Sequence, residues 1–244
     1  METVFLIVVS FLASTLTATI GHGGGILLIS VMPGLIPAAA IVPVHAAVQL
    51  ASNSSRVLLG ARHIDWTVVW PFVGGAAVGA AAGVGMVAQV DFEQMPLYLG
   101  LFILVMTWVP LPARAVEFRG QFAVLGAVQT YVSLFLGFTG PLASPLLLRR
   151  GLPKDQLIVT LGTVMIVIHV LKLLVFATAG FVFAPYWSLI AGMALAVVLG
   201  SWVGTRLGRH LPDAALHRAL KWLITALAVR MIVEALLDFE RFST

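Results

Sequence analysis

Residues 3–20 read TVFLIVVSFLASTLTATI, residues 21–25 read GHGGG, and residues 26–32 read ILLISVM. The first run is apolar and close to the length of about 20 residues that a helix needs to cross a bilayer. The glycines break this helix, because glycine has low helix propensity and reaches backbone conformations that other residues avoid. The third run is short and ends at Pro33-Gly34. The sequence therefore predicts a helix, a break and a helical stub at membrane depth.

The same arrangement occurs a second time along the chain. A predicted helix at residues 121–136 is followed by GFTGP at 137–141 and by a second stub at 142–148. After each stub come three long apolar runs, which predict membrane-spanning helices. These runs are residues 38–59, 67–88 and 95–109 in the first half and residues 156–179, 186–207 and 214–237 in the second half.

An offset of 116 residues aligns the two halves of the chain. The aligned pairs are Gly24 with Gly140, Pro37 with Pro153, Asn53 with His169, and Arg56 with Lys172. A glycine break and an embedded cation rarely align by chance at a single offset. We interpret this as an internal repeat, with an N-terminal transmembrane repeat at residues 1–112 and a C-terminal one at residues 113–244. Both belong to one integral membrane domain.

The composition excludes a soluble domain. Apolar residues make up 60% of the chain and charged residues 10%, whereas soluble domains are about 25% charged. The alternation of polar and apolar residues that an outer-membrane barrel needs is absent from the sequence. We therefore predict an all-α polytopic membrane protein. The sequence has no cysteine, which excludes disulfides and thiolate metal sites.

Basic residues concentrate in alternate loops. The loops at residues 33–37, 91–93 and 180–185 contain no Lys or Arg. Ten of the fourteen cations lie in four other loops, namely Arg62, Arg114, Arg119, Arg149, Arg150, Lys154, Arg206, Arg209, Arg218 and Lys221. Since cytoplasmic loops are rich in Lys and Arg, the two repeats are predicted to be inverted, with both termini outside. The same bias, rather than nucleic-acid binding, explains the net charge of +4. We expect a multi-pass protein of the plasma (inner) membrane.

Arg56 and Lys172 each lie inside an apolar run of a predicted span. A cation at the centre of a membrane helix costs about 2.5–3.5 kcal/mol on insertion scales, so such residues usually face a cavity or a partner. Within the predicted spans the sole acidic residue is Glu234, near the end of the last one, where it forms an i, i+4 pair with Arg230. An exogenous anion is therefore an attractive partner for both cations. The alternative is that their long side chains reach the lipid headgroups.

The glycine breaks provide a second feature that suits an anion. A helix that begins after such a break presents unpaired N–H groups and the positive end of its dipole. Pro141 fits the first turn of the second stub, where its missing N–H costs nothing. Candidate binding residues are Gly23, Gly24, Gly25, Thr139 and Gly140. A tight packing turn is the alternative explanation for each break.

Polar residues accompany the two cations. Gln49, Ser52 and Asn53 share one helical face with Arg56, and His169 lies three residues before Lys172, with Thr163 and Met165 about two turns from the lysine. We take Ser52, Asn53 and His169 as candidates for substrate binding. The same face could instead be a seam of hydrogen bonds between helices.

Three histidines, His22, His45 and His169, are predicted at membrane depth and titrate near neutrality when unperturbed. They are candidates for proton coupling, although a histidine in a helix is more often a packing residue. Their spacing does not match a zinc motif, and no HExxH sequence accompanies them, so no metal site is predicted. We assign two sets of small residues to close helix packing. These are Gly75, Gly79 and Gly83 in one span and Gly200 and Gly204 in another.

At these glycine-rich positions the sequence resembles the TauE/SafE family of sulfite-exporter or TSUP-type permeases. The matching segments are residues 21–28, residues 137–145, Gly151-Leu152-Pro153 and the small residues from Gly74 to Gly83. The resemblance covers essentially the whole chain, including its duplicated layout. It implies a transporter of sulfur-containing oxyanions such as sulfite, sulfoacetate or other organosulfonates. It also implies that the two breaks, Arg56 and Lys172 surround the substrate.

The function predicted from these features is secondary transport of a small oxyanion by alternating access. The sequence contains no nucleotide-binding loop, no cofactor is predicted, and the scarcity of carboxylates leaves facilitated flux or histidine-linked proton coupling as modes of transport. The expected partners are the anion and the lipid bilayer, not nucleic acid, and a homo-oligomer is compatible with the sequence. Two alternatives stay open. One is a membrane-embedded enzyme that uses the histidines, and the other is an assembly subunit that transports nothing.

Overall fold

The computed structural model describes the chain except for residues 21–22, 59, 88, 91, 110–117, 208–212 and 244. At residues 20, 141, 154, 207, 213–217 and 238–243 it describes the backbone alone. The described residues form ten α-helices and no β-strand. The helices are α1 (Glu2–Ile20), α2 (Gly24–Val31), α3 (Ala38–Leu58), α4 (Trp66–Val87), α5 (Met95–Trp108), α6 (Gln121–Leu136), α7 (Gly140–Arg149), α8 (Lys154–Thr178), α9 (Trp187–Leu207) and α10 (Asp213–Ser243).

The helix boundaries lie close to those predicted from hydropathy and glycine breaks. Both stubs are helical and correspond to α2 and α7. Gly23, which precedes α2, has a φ of +99°, and Gly137, which follows α6, has a φ of +67°. These are left-handed backbone angles that only glycine reaches without steric cost. The largest difference is in α10, which continues to Ser243 beyond the predicted end at Leu237. The decline in hydropathy ends the apolar run there, but no Gly or Pro follows to end the helix.

Four of the described helical segments are long and apolar enough to cross a membrane. They are Glu2–Thr19, Trp66–Val87, Asp155–Thr178 and Ala184–Arg206, and shorter apolar helical segments lie at Phe92–Trp108 and Gln121–Leu136. The predicted span α3 is not among the four, because its polar face lowers its mean hydropathy. An all-helical membrane architecture is therefore confirmed.

The tightest helix pairs join the two predicted repeats. Helix α1 packs along α9, and α4 packs along α6. A Cβ added at Gly75 or Gly79 of α4 would collide with the backbone of α6, and one at Gly200 or Gly204 of α9 would collide with the backbone of α1. The predicted role of these glycines in close packing is confirmed. Gly83 instead faces the side chain of Leu134.

Four further helix pairs also join the first half of the chain to the second. Helix α3 packs against α8 and α5 against α10, and α9 packs against α3 as α4 packs against α8. The helices of the two halves correspond in order: α1 to α6, α3 to α8, α4 to α9 and α5 to α10. When each helix is replaced by its counterpart, every one of these pairs becomes either itself or another pair that is in contact. Such a pattern fits two copies of one unit, whereas the inverted orientation of the copies in a membrane stays a prediction, as do the repeat boundaries.

Candidate functional site

The pair α3 and α8 carries most of the buried polar side chains that sequence analysis singled out. On α3 these are His45, Gln49, Ser52 and Asn53, and on α8 they are Thr163, His169 and Lys172. Both helices are otherwise rich in apolar residues, so their polar faces turn away from lipid and into the protein. The two halves of the predicted site therefore meet within the helix bundle.

Lys172 is the most deeply buried cation among the described residues, with 0% of its surface exposed. Its Nζ atom donates a hydrogen bond of 2.6 Å to the carbonyl oxygen of Gly137, the residue that caps the C-terminal end of α6. The negative end of that helix dipole thus receives a positive charge. Since the side chain lies inside the protein, it does not reach for lipid headgroups in this structure.

Arg56 lies in the last turn of α3 and is half-buried. Its Nη2 atom donates to Asn53 Oδ1 at 2.9 Å, and Asn53 Nδ2 donates in turn to the Gln49 carbonyl oxygen at 2.8 Å. The guanidinium is therefore drawn back along its own helix toward the polar face. Neither hydrogen bond supplies a counter-charge.

The acidic residues of the described chain do not neutralise this pair in the interior. Asp65 is the one buried carboxylate in the part of the chain that the structure describes. Its Oδ1 atom accepts from the Thr67 backbone N–H at 3.0 Å and from the Thr67 hydroxyl at 2.5 Å, at the start of α4. Arg230 and Glu234 form the i, i+4 pair that the sequence predicts, at 2.7 Å and on an exposed face.

The first glycine break is fixed by side chains from α1 and α3. The Gly24 backbone N–H donates to Thr17 Oγ1 at 3.0 Å. The Gly25 carbonyl oxygen lies 3.0 Å from His45 Nε2. A Cβ at Gly24 would collide with the Ala13 carbonyl oxygen, so the break requires glycine for a close backbone approach. The packing explanation and the anion explanation of this glycine are compatible.

The second glycine break is fixed by α6 and α8. In addition to the Lys172 contact, the Gln129 side chain donates through Nε2 to the Thr139 carbonyl oxygen at 2.8 Å. Thr139 is buried, and α7 begins directly after it at Gly140. Each break is thus held at a backbone carbonyl by a nitrogen from a neighbouring helix.

Phe138 brings the two breaks together. A Cβ built on Gly25 would lie 3.3 Å from the Phe138 ring, and one built on Gly140 would lie 3.0 Å from the same ring. The starts of α2 and α7 therefore flank one aromatic side chain. The family resemblance implies that the two breaks surround one substrate, and in the structure they lie side by side.

A narrow polar cleft opens beside the first break. It is lined by Ala13, Ser14, Thr17, Gly24, Gly25, Leu28, Gln49, Ser52 and Val197. The cleft has no room for a water molecule. It unites the predicted residues Gly24, Gly25 and Ser52, while Arg56, Lys172 and the second break do not line it.

Ser14 connects the walls of this cleft and was missed by the sequence analysis. Its hydroxyl lies 2.6 Å from the Val197 carbonyl oxygen, 2.8 Å from Ser201 Oγ and 3.4 Å from Ser52 Oγ. Ser14 and Thr17 lie three residues apart on α1 and so share a face. That spacing was a usable signal in the sequence.

Gln129 and Thr130 on α6 were also missed. Both are fully buried, and the atoms Gln129 Oε1 and Thr130 Oγ1 have no hydrogen-bond partner among the described residues. The repeat offset of 116 places Thr130 on Ser14 and Ser133 on Thr17, both of which line the cleft in the first half. Once the cleft is known, the repeat therefore points to Thr130, whereas it places Gln129 on Ala13.

His45 and His169 lie next to each other, with ring centroids 6.3 Å apart and planes at 73°. The third histidine, His22, lies outside the described residues. Among the residues that the structure describes, no group of three His, Asp, Glu or Cys side chains could hold a metal ion.

Comparisons with known proteins agree with this architecture. The family model described as "Sulfite exporter TauE/SafE" matches residues 6–231. The chain is similar to the probable inner membrane transporter protein TsaS of Comamonas testosteroni, with 30% identity over 178 residues, which cover 69% of this chain and 72% of that protein. No solved structure matches. The family and this relative indicate a membrane transporter rather than an enzyme. The chain belongs to the TauE/SafE sulfite exporter family.

Proposed function

We propose that this transporter carries a small oxyanion, sulfite or an organosulfonate, across the inner membrane by alternating access. The observation that carries the proposal is the environment of Lys172. Its ammonium is fully buried and bonds a backbone carbonyl, not a carboxylate. A buried charge without a counter-charge is costly, and such charges inside membrane proteins usually serve a function. A transported anion would supply the missing negative charge.

The glycine breaks would provide the hydrogen-bond donors for the anion. The N-terminal ends of α2 and α7 flank Phe138, and helix N-termini bind anions through free N–H groups and the helix dipole. Gly23 and Gly25 would contribute on one side, and Gly24 would do so once its N–H leaves Thr17 Oγ1, to which it donates in this structure. Thr139 and Gly140 would contribute on the other side. An oxyanion with several oxygen atoms can accept from both ends at once, which favours sulfite or a sulfonate over a halide.

The polar face of α3 and α8 would complete the site. Ser52 lines the cleft beside the first break. Asn53 holds the guanidinium of Arg56, and His169 precedes Lys172 by one turn. In this arrangement Arg56 and Lys172 attract the anion, while the neutral groups orient it. The charged groups set affinity, and the donors set which anion fits.

The narrow cleft supports alternating access over a continuous pore. Because the cleft does not admit water, an anion can enter only after the helices around it move apart. Broken helices at repeat-related positions are a recurring feature of carriers that expose one site to each side in turn. The structure is in this view a closed state of the carrier.

A binding and flux panel tests the substrate class. We expect sulfite, sulfoacetate and methanesulfonate to raise the melting temperature of the purified protein, and chloride and acetate at equal ionic strength to leave it unchanged. Proteoliposomes should accumulate the anions that stabilise the protein. If none of the oxyanions shifts the melting temperature or crosses the membrane, the proposed substrate class is wrong.

Two substitutions test the proposed site. Lys172→Met and Arg56→Met should each reduce flux severely, because removing one charge-assisted hydrogen bond to the anion weakens binding by about 1.5–3 kcal/mol, or roughly 10- to 150-fold. Both variants should still fold, since Met preserves the length of the buried stem.

Lys221→Met is the matched control. Lys221 lies on α10 with its Nζ atom 3.9 Å above the Trp108 ring. This contact is not part of the proposed site, so the removal of Lys221 should leave flux near that of the native protein. Native flux in folded Lys172→Met and Arg56→Met proteins would rule this site out.

A further inference from the structure

Three basic side chains form one buried cluster at the centre of the protein. His45 on α3 and His169 on α8 are 0% and 6% exposed, and their rings are in edge contact. Lys172 lies one turn beyond His169 and acts electrostatically on both imidazoles. The cluster therefore brings three groups that can carry a positive charge close together in the interior of the protein.

The imidazole nitrogens are available for a proton. His45 Nε2 lies 3.0 Å from the Gly25 carbonyl oxygen and 3.3 Å from the Gln49 side-chain nitrogen. Because the carbonyl can only accept, a proton on Nε2 satisfies the shorter of these two contacts. The Nδ1 atom of His45 and the Nδ1 atom of His169 are both buried without a partner among the described groups. Each ring thus offers an unpartnered Nδ1 at which a proton could be bound.

Burial away from water opposes a positive charge on either ring, and the bases around the pair oppose it further. The charged or titratable groups that act on His169 are Lys172, His45 and Arg56, and Lys172 acts on His45. All are bases, and the buried carboxylate of Asp65 is engaged by Thr67. In a medium of low dielectric a second positive charge in this cluster is strongly opposed. An anion bound between Lys172 and the glycine breaks offsets the part of this opposition that comes from the neighbouring positive charges.

We propose that the transported anion moves together with a proton held by the His45–His169 pair. Because linkage between two ligands is reciprocal, an anion that favours proton binding is itself bound more tightly by the protonated cluster. The loaded carrier takes up one anion and one proton on the same side and releases both on the other. No electron is transferred and no covalent bond is changed beyond the proton's own N–H bond. This inference rests on the proposed transport of an oxyanion.

The test uses proteoliposomes with methanesulfonate as the probe, because this anion stays ionised and cannot carry a proton itself. Anion content is measured in parallel with the internal pH, reported by a trapped dye. A pH difference of one unit is a tenfold proton gradient, and one-to-one coupling should therefore concentrate the anion about tenfold on the alkaline side. A methanesulfonate gradient imposed at equal pH should conversely drive protons in the same direction as the anion.

Substitution of the pair should separate the two fluxes. In the His45→Gln/His169→Gln variant we expect the pH gradient to lose its ability to concentrate the anion, and the number of protons moved per anion to fall toward zero. His63→Gln is the matched control, because His63 lies in the short 3₁₀ turn at residues 61–63, outside the cluster. Its coupling ratio should equal that of the native protein.

The outcomes for the native protein decide the proposal even if the double variant does not fold. Anion accumulation driven by the pH gradient supports it. Anion flux that is indifferent to the pH gradient and moves no protons would overturn it while leaving the proposed anion transport intact. Absence of methanesulfonate flux, with flux of another oxyanion that is equally indifferent to pH, would also overturn it. If no oxyanion crosses at all, both the proposed function and the coupling fail.

Discussion

Gly24 and Gly74 are both helical glycines that differ in their surroundings. A Cβ at Gly24 would collide with the Ala13 carbonyl oxygen and the Thr17 hydroxyl, whereas one at Gly74 would meet nothing within 4 Å. Gly24→Ala should therefore lower stability by about 1–3 kcal/mol through overpacking. Gly74→Ala should raise it by up to about 1 kcal/mol through helix propensity. Thermal unfolding of the two purified variants in one detergent measures the contrast, and equal melting temperatures would contradict the described packing of the first break.

Individual side chains show what a sequence conveys about a membrane site. Arg56 and Lys172 stand out in the sequence because a charge within an apolar run is conspicuous by itself. The partner of Lys172 does not stand out, because the Gly137 carbonyl oxygen belongs to the backbone and backbone atoms leave no mark on the residue pattern. Gln129 and Thr130 were overlooked because two polar residues in a long helix are common and become unusual only once they are known to be buried.

At the scale of elements, α4 depends on the carboxylate that precedes it. Asp65 accepts from the N–H and the hydroxyl of Thr67, as a residue at a helix N-terminus typically does. Asp65→Ala should cost about 0.5–2 kcal/mol of stability, measured as a fall in melting temperature. Asp155→Ala is the control, since Asp155 is exposed in the first turn of α8 and should cost less. A larger loss for Asp155→Ala would contradict this assignment.

The helices themselves were largely predictable, and their pairing was not. The bounds of α6 match the prediction at both ends, because a glycine flanks the helix on each side and the run between them is apolar. The pairing of α4 with α6 depends on small residues that fit against a backbone far away in sequence. Gly75 and Gly79 signal a close contact but do not say which helix makes it. The polar face of α3 was readable from its periodicity, whereas its proximity to α8 was implied only by the family resemblance, which puts Arg56 and Lys172 around one substrate.

At the scale of the whole molecule, the predicted inversion of the repeats has a direct test. Pro37 and Pro153 are exposed, lie 116 residues apart, and each directly precedes a long helix. The native chain has no cysteine, so Pro37→Cys and Pro153→Cys each introduce a single thiol. An impermeant thiol reagent added to intact cells should label Pro37→Cys, and Pro153→Cys should be labelled only after the membrane is opened. Labelling of both from the same side would show parallel repeats.

The same absence of cysteine permits a test of which helices move during transport. From the glycine contacts that join α1 to α9, we expect these two helices to move as one body, although they belong to different predicted repeats. Ser14 lies 2.8 Å from Ser201 on α9 and 3.4 Å from Ser52 on α3, measured between hydroxyl oxygens. Oxidation of Ser14→Cys/Ser52→Cys should close the cleft with a disulfide and stop flux, and a reductant should restore it.

The oxidised Ser14→Cys/Ser201→Cys variant is the matched comparison. It shares the Ser14 substitution but ties α1 to the helix with which it is expected to move, so flux should persist after the disulfide forms. If this second disulfide stops flux as completely as the first, α1 and α9 move relative to each other and the proposed moving body is wrong.

The pairing of α1 with α9 also bears on how the protein is made. The hydrogen bond from Ser14 to the Val197 carbonyl oxygen joins residues 183 positions apart. At a synthesis rate of about 5–20 residues per second, roughly 10–40 s separate the two residues as they leave the ribosome. During that interval the face of α1 that later packs on α9 is without this partner and faces lipid or a helper protein. Biogenesis of this transporter should therefore be most sensitive to insertase or chaperone supply before the ninth helix enters the bilayer.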